Sequence, residues 1–278
     1  MPNSISKLCT CSILSKMSEK FYLFVLVVII SLFIIYFAIE ISLRFVIVAI
    51  IYPVIALIPV IAYIPVYSRL GVSFKDRFCF LLFAIWLSAV LWFIAEAIWC
   101  WYYNLLLNVE VPYPSEADIF YIAGCIPSII GLFVYIRAIL REIHPRLSLR
   151  EKIIGYSSSI ILTLVIGTLL FYPLLSAYEE ILEEEGLLVI GLDITYILLD
   201  IILIIIAITG LILIRGKIGK IILLILVSSI LVVIYDLVFA ILDMFGLYYD
   251  GHPIEILDLI SYLIDTMAFY ETYKMLKS

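Results

Sequence analysis

Eight stretches of this chain are apolar over roughly 18 residues or more, and that length constrains the fold more than any other feature of the sequence. They run over 21–39, 45–68, 78–103, 118–140, 153–177, 187–214, 220–246 and 255–275, each bounded by charged or turn residues. Such a run is long enough to cross the hydrocarbon core of a bilayer as a helix, where only helices and closed barrels satisfy all their own backbone hydrogen bonds. The expected fold is therefore all-α, a polytopic membrane bundle of about eight transmembrane helices. Residues 1–20 would form a cytoplasmic leader and 21–278 a single transmembrane domain. Composition agrees: 66% of residues are hydrophobic and 14% charged, where a soluble domain is about half apolar and a quarter charged. The first run is too long for the core of a signal peptide and no small-residue cleavage site follows it, so it reads as a retained span.

Lysine and arginine set the expected orientation, since they are retained on the cytoplasmic side. With the N-terminus inside, Lys7, Lys16, Lys20, Arg69, Lys75, Arg77, Arg137, Arg141, Arg146, Arg150, Lys152, Arg215, Lys217, Lys220, Lys274 and Lys277 all fall in cytoplasmic segments. These are sixteen of the seventeen basic residues, and only Arg44 lies outside. Both termini are then cytoplasmic, at the cell membrane. The outer loops are acidic: Glu110 and Glu116; Glu179, Glu180, Glu183, Glu184 and Glu185; Asp250 and Glu255. The run at 179–185 reads as a solvated helix end, with a weak surface site for divalent cations as the other reading. Cys9, Cys11, Cys79, Cys100 and Cys125 contain no CxxC pair and are expected as free thiols. With two histidines, His144 and His252, they make a thiolate or imidazole metal centre improbable.

Shifting the sequence by 140 residues, about half its length, lays spans one to four over spans five to eight. The same shift sets Glu96 over Asp236 and Asp118 over Asp258. This suggests two parallel four-helix repeats, 21–140 and 153–278.

Ionisable residues within spans cost at least about 2.5 kcal/mol each and demand a reason. Glu96, Asp193, Asp200, Asp236, Asp243, Asp258 and Asp265 are all of this kind. Asp193 with Asp200, Asp236 with Asp243, and Asp258 with Asp265 are each spaced i,i+7, which puts both members on one helix face, expected to point into the bundle. No Lys, Arg or His lies at comparable depth, so these acids must be partly protonated, solvated or bound to a cation. The 20 tyrosines, among them Tyr102, Tyr103, Tyr121, Tyr196, Tyr235 and Tyr262, offer hydroxyl donors. The acids and tyrosines read either as a network gluing helices together or as an outward-facing acidic and aromatic cavity. Its candidate residues are Glu96, Asp118, Tyr121, Asp193, Asp200, Asp236, Asp243, Asp258 and Asp265.

In Pro112-Tyr-Pro-Ser-Glu-Ala-Asp-Ile-Phe-Tyr121, Ser115 and Asp118 have nearly the form of a capping box, which alone would explain both. Gly124 and Gly131 mark a close helix contact. Aromatics near the outer end of span three, including Trp99, Trp101, Tyr102 and Tyr103, suit an interfacial belt or the lining of a pocket. Pro53, Pro59 and Pro65 predict a kink in span two.

The segment 112–132, with its Pro-x-Pro-Ser-x-Ala-Asp-x-x-Tyr-x-x-Gly stretch, resembles the multi-helix membrane sensor region found before GGDEF, EAL or histidine-kinase modules in prokaryotic signalling proteins. A preceding helix with an acid and aromatics, here Glu96 to Tyr102, and later acid-bearing helices, here with Asp200 and Asp236, belong to the same resemblance. It implies a sensor of unspecified ligand, and here no output domain is expected. The expected function is a stand-alone sensor-like or accessory protein without a cofactor, acting in the lipid bilayer and signalling through a separate cytoplasmic protein. A small cation- or proton-coupled transporter or ion-conducting protein is the alternative. No HExxH, GxSxG or Gly-rich phosphate motif is present and an enzyme is not expected. No basic stripe with interleaved aromatics points to nucleic acid.

Overall fold

A computed structural model of the chain describes residues 3–71, 73–109, 111–143, 148–184, 187–213 and 219–277. They form eight α-helices: α1 (Asn3–Ala38), α2 (Ile41–Leu70), α3 (Arg77–Glu96), α4 (Glu116–Ile143), α5 (Leu149–Glu184), α6 (Leu187–Leu213), α7 (Lys220–Met244) and α8 (Glu255–Lys277). Helix α3 continues without a break into a π-helical segment, Ala97–Leu107. The leader expected at 1–20 is helical from Asn3 onward and runs straight into the first span. Helix α2 passes through Pro53, Pro59 and Pro65 as one continuous element. Seven helices are long and apolar enough to cross a membrane. The eighth, α8, carries Glu255, Asp258, Asp265, Glu271 and Lys274 and falls short on composition, although it holds a long row of buried residues.

Local chemistry sets the ends of several helices. Asp76 caps α3 by accepting from the amides of Phe78 at 2.8 Å and Cys79 at 3.0 Å. These two bonds, with that from Cys79 the stronger influence, hold its carboxyl below the usual aspartate range. Gly71, at φ 63°, ends α2 and donates to the Tyr67 carbonyl at 2.8 Å. Asn108, at φ 51°, ends the π segment in the left-handed conformation that asparagine tolerates better than most residues.

Six helices close on one another. Helix α2 packs on α3, α3 on α4, α4 on α6, α6 on α7, α7 on α8, and α8 back on α2. Helix α1 leans on α8 from outside this ring, and α5 on α6 and α7. Toward the end of the bundle that carries most of the lysines and arginines, the ring is filled solidly. Leu81, Leu82, Leu132, Leu203, Ile204, Ile225, Leu226 and Phe269 are all essentially inaccessible there. At the opposite, acidic end a second cluster of buried apolar residues joins α1, α2 and α8, with Tyr36, Tyr52 and Tyr262 among its members.

The closest helix pair is α3 with α4, and the glycines expected to mark it do so. A Cβ added at Gly131 would stand 2.7 Å from the Ala84 Cβ, and one added at Gly124 would stand 2.5 Å from the Trp92 ring. Trp92 seals the same contact by donating its indole N–H to the Tyr121 carbonyl at 3.2 Å. Overpacking such a seam costs about 1–3 kcal/mol. Gly131→Ala is therefore expected to lower thermal stability in detergent by about that amount, and Ala84→Gly in the same chain to restore most of it.

Candidate functional site

Most of the intramembrane acids meet within the acidic half of the ring, and each finds its partner on another element. Glu96, the last residue of α3 and only 4% exposed, accepts from the Tyr262 hydroxyl of α8 at 3.1 Å, with Tyr121 of α4 beside it. Asp258 of α8, 7% exposed, accepts from the Tyr52 hydroxyl of α2 at 2.7 Å and from Ser261 at 3.3 Å. Asp200 of α6 and Asp236 of α7 approach each other closely enough to interact directly. Asp200 is buried, whereas Asp236 keeps partial exposure. Asp265, deeper along α8, is buried beside Ser228 of α7, whose hydroxyl donates to the Ser261 carbonyl at 3.1 Å.

Asp118 and Asp193 sit at the rim. The capping box is formed: Asp118 accepts from the Ser115 amide at 2.7 Å, and the Ser115 hydroxyl accepts from the Ala117 amide at 3.2 Å. Its second carboxylate oxygen does what a cap does not require, accepting from the Tyr196 hydroxyl of α6 at 2.8 Å. Asp193 accepts from the Tyr113 hydroxyl, which ties α6 to the segment before α4. Beside this rim Tyr103 donates to the exposed Glu116, and that bond holds the Glu116 carboxyl below its usual range. Asp243 was expected on the inner face with Asp236, but it lies exposed in the last turn of α7, near Tyr113 of the rim.

Sequence reasoning missed a second constellation at the acidic end. Glu255 reads as an outer-loop acid, yet it is 3% exposed. It accepts from Tyr36 at 2.7 Å, Tyr248 at 3.0 Å, the Gly251 amide at 2.8 Å and the His252 amide at 3.2 Å. Arg44, the lone basic residue of this end, is buried at 6% exposure. Its guanidinium donates to the Tyr36 carbonyl and to the Tyr249 hydroxyl at 3.0 Å, over whose ring it also lies at 5.5 Å. The signal available in the sequence was the proximity of Glu255 to Gly251, a position at φ 84° that turns the backbone amides inward.

The π segment begins directly after Glu96. Runs of this kind are rare, usually a single turn, and recur at functional sites. Its Trp99 and Asn104 both donate to Asp250, at 3.3 and 3.2 Å, linking α3 to the loop before α8.

Chemically this is a network of carboxyls and hydroxyls in which one carboxyl pair, Asp200 and Asp236, comes together without a cation between them among the described residues. The one ion pair among the described residues, Lys220 with Glu271 at 3.3 Å, lies at the far, basic end. No group of three or more His, Cys, Asp or Glu side chains among the described residues is placed to hold a metal ion. Cys79, Cys100 and Cys125 are free, while the side chains of Cys9, Cys11 and of the acidic run 179–185 lie outside the described residues. One apolar hollow lies between α5, α6 and α7 and another at the basic end, and the candidate acids line neither of these two.

No protein-family model, curated protein or solved structure matches this chain. Its chemistry must be judged on the residues alone.

Two outcomes follow from the geometry. Tyr52→Phe and Tyr262→Phe each remove a hydroxyl donor from a buried carboxyl and should cost about 1–3 kcal/mol in thermal unfolding, with Asp258→Asn recovering part of the loss in the Tyr52→Phe background. His252, at the end of the 246–254 loop, is held below the usual histidine value by burial and by the nearby Arg44 charge. A depressed histidine contributes stability in full above its unfolded value, about 6.5, and loses it as pH falls below that value. His252→Gln should therefore flatten the decline of melting temperature between roughly pH 6.5 and 5.

Proposed function

We propose that this multi-pass protein is a sensor-like or accessory protein of the cell membrane, with both termini in the cytoplasm. The ring interior near Glu96 answers a stimulus arriving from the acidic, outer side. One observation carries the reading. The carboxyl network occupies the acidic half of the ring, whereas the basic half is closed by fully buried Leu81, Leu132, Leu203, Leu226 and Phe269. A bundle polar on one side of a sealed layer suits a signal that crosses as a helix rearrangement better than a solute that crosses in person. The interior acids have hydroxyl partners in place of cations, so their proton occupancy decides which helices stay bonded. The asymmetry of lysine and arginine supports the orientation.

Two four-helix repeats fit the same picture. In the ring, Tyr52 of α2 bonds Asp258 of α8 while Tyr196 of α6 bonds Asp118 of α4, so the second helix of each half holds the fourth helix of the other. The likeness of 112–132 to membrane sensor regions points the same way, and a separate cytoplasmic protein would then receive the signal.

The Asp200–Asp236 pair favours a second reading, proton-coupled transport, since two neighbouring intramembrane carboxyls suit a relay. Reconstituted vesicles separate the two. Sensing predicts a tryptophan fluorescence change on shifting external pH that Glu96→Gln abolishes, with no dissipation of an imposed proton gradient. Gradient collapse that depends on Asp200 and fails in Asp200→Asn would replace sensing by transport. Neither response would reduce the acids to structural bonds.

A further inference from the structure

The hollow at the basic end is lined by both apolar side chains and two arginines. It measures about 600 Å3 and opens between α4, α5 and α6. Ile136 and Leu140 of α4 and Ile205 and Ile206 of α6 form its apolar wall, and Arg137 and Arg141 stand on its α4 side. Tyr156 of α5 faces them. The hollow exists because α5 leans on α6 and α7 and makes no extensive contact with α4. At the corresponding outer corner of α8 there is no such gap. There α1 packs in, with Phe21 stacked on Tyr270 at 3.9 Å and Tyr22 hydrogen-bonded to Glu271.

The two arginines are spaced i,i+4 and so project from one side of α4, where like charges repel. Both are exposed, and neither has an ion-pair partner among the described residues. Arg137 lies 5.8 Å from the Phe133 ring, at the mouth of the groove. Paired guanidinium groups at the membrane–water boundary, above an apolar slot that runs down into the hydrocarbon, match a molecule with an anionic phosphate at one end and an acyl chain at the other. A soluble anion would use the arginines and leave the slot unfilled. A neutral lipid would fill the slot and leave the charges unanswered.

We propose that this groove is a binding site for an anionic phospholipid, its phosphate held by Arg137 and Arg141 and one acyl chain laid against Ile136, Leu140, Ile205 and Ile206. Occupancy would bridge α4 to α5, which the protein itself leaves apart. Phosphate headgroups are present in both leaflets, so the site does not depend on the orientation assigned above.

The test is thermal unfolding of the full chain in neutral detergent with added dioleoyl phosphatidylglycerol, dioleoyl phosphatidylcholine or inorganic phosphate. Phosphatidylglycerol should raise the melting temperature by several degrees and the other two should not. The double variant Arg137→Gln, Arg141→Gln should unfold at the parent temperature without lipid, because neither side chain is paired, and should lose the phosphatidylglycerol shift. A matched variant at the same end, Lys75→Gln with Arg77→Gln, should keep it. If that variant fails to fold, native mass spectrometry of the parent and the Arg137/Arg141 variant counts retained phosphatidylglycerol directly, with at least a tenfold loss expected. Equal stabilisation by phosphatidylcholine, full stabilisation by phosphate alone, an undiminished shift in the Arg137/Arg141 variant, or an equal loss in the Lys75/Arg77 variant would each overturn the proposal.

Discussion

A carboxyl group inside a bilayer must hold a proton, a counter-ion or a set of hydrogen-bond donors, and the arrangement of this bundle follows from tyrosine hydroxyls filling that need. Tyr262 serves Glu96 across the α8–α3 gap, Tyr52 serves Asp258 between α2 and α8, and Tyr196 serves Asp118 between α6 and α4. Asp200 and Asp236 approach each other across α6 and α7. Every one of these contacts joins two different helices. The ring is therefore drawn together directionally at its acidic half and by dense apolar packing at its basic half. The two modes differ in consequence, since close packing resists any displacement whereas hydrogen bonds can be exchanged one for another.

Arg44 shows the same constraint from the opposite sign. It is buried in the first turn of α2, an end where the helix dipole is itself positive, and no carboxylate meets it. A carbonyl, a phenolic hydroxyl and an aromatic face take the place of an anion. The loop 246–254 folds over it, with Gly251 packed 3.6 Å from its side chain where a built Cβ would stand. The same loop delivers two backbone amides to Glu255, so one turn of chain manages both buried charges.

The sequence revealed the spans well because their cause is local: an apolar run of bilayer length is helical whatever surrounds it. The expected 45–68 and 187–214 are close to α2 at Ile41–Leu70 and α6 at Leu187–Leu213. The capping box at Ser115 and Asp118 was legible for the same reason, being a bond between residues three apart. Partnerships across helices were not. Nothing at position 200 states that position 236 will face it, and the i,i+7 spacing that correctly turned Asp258 inward turned Asp243 inward too, although it lies exposed. Glu255 was misplaced because a loop acid and a buried helix-start acid look alike until the turn over them is formed. The π segment has no sequence rule that would have announced it.

The composition of α8 has a consequence for the order in which the membrane receives this chain. Each acid at mid-bilayer costs a helix about 2.5–3.5 kcal/mol on insertion from the translocon, and α8 brings Asp258 and Asp265 with Glu255 at its edge. It is too polar to rest in lipid alone, yet α2, α3 and α7, made before it, present the hydroxyls, the seam and the apolar wall that accept it. Helix α8 is thus held by protein more than by lipid, its acids met by the Tyr36 and Tyr52 hydroxyls of α1 and α2.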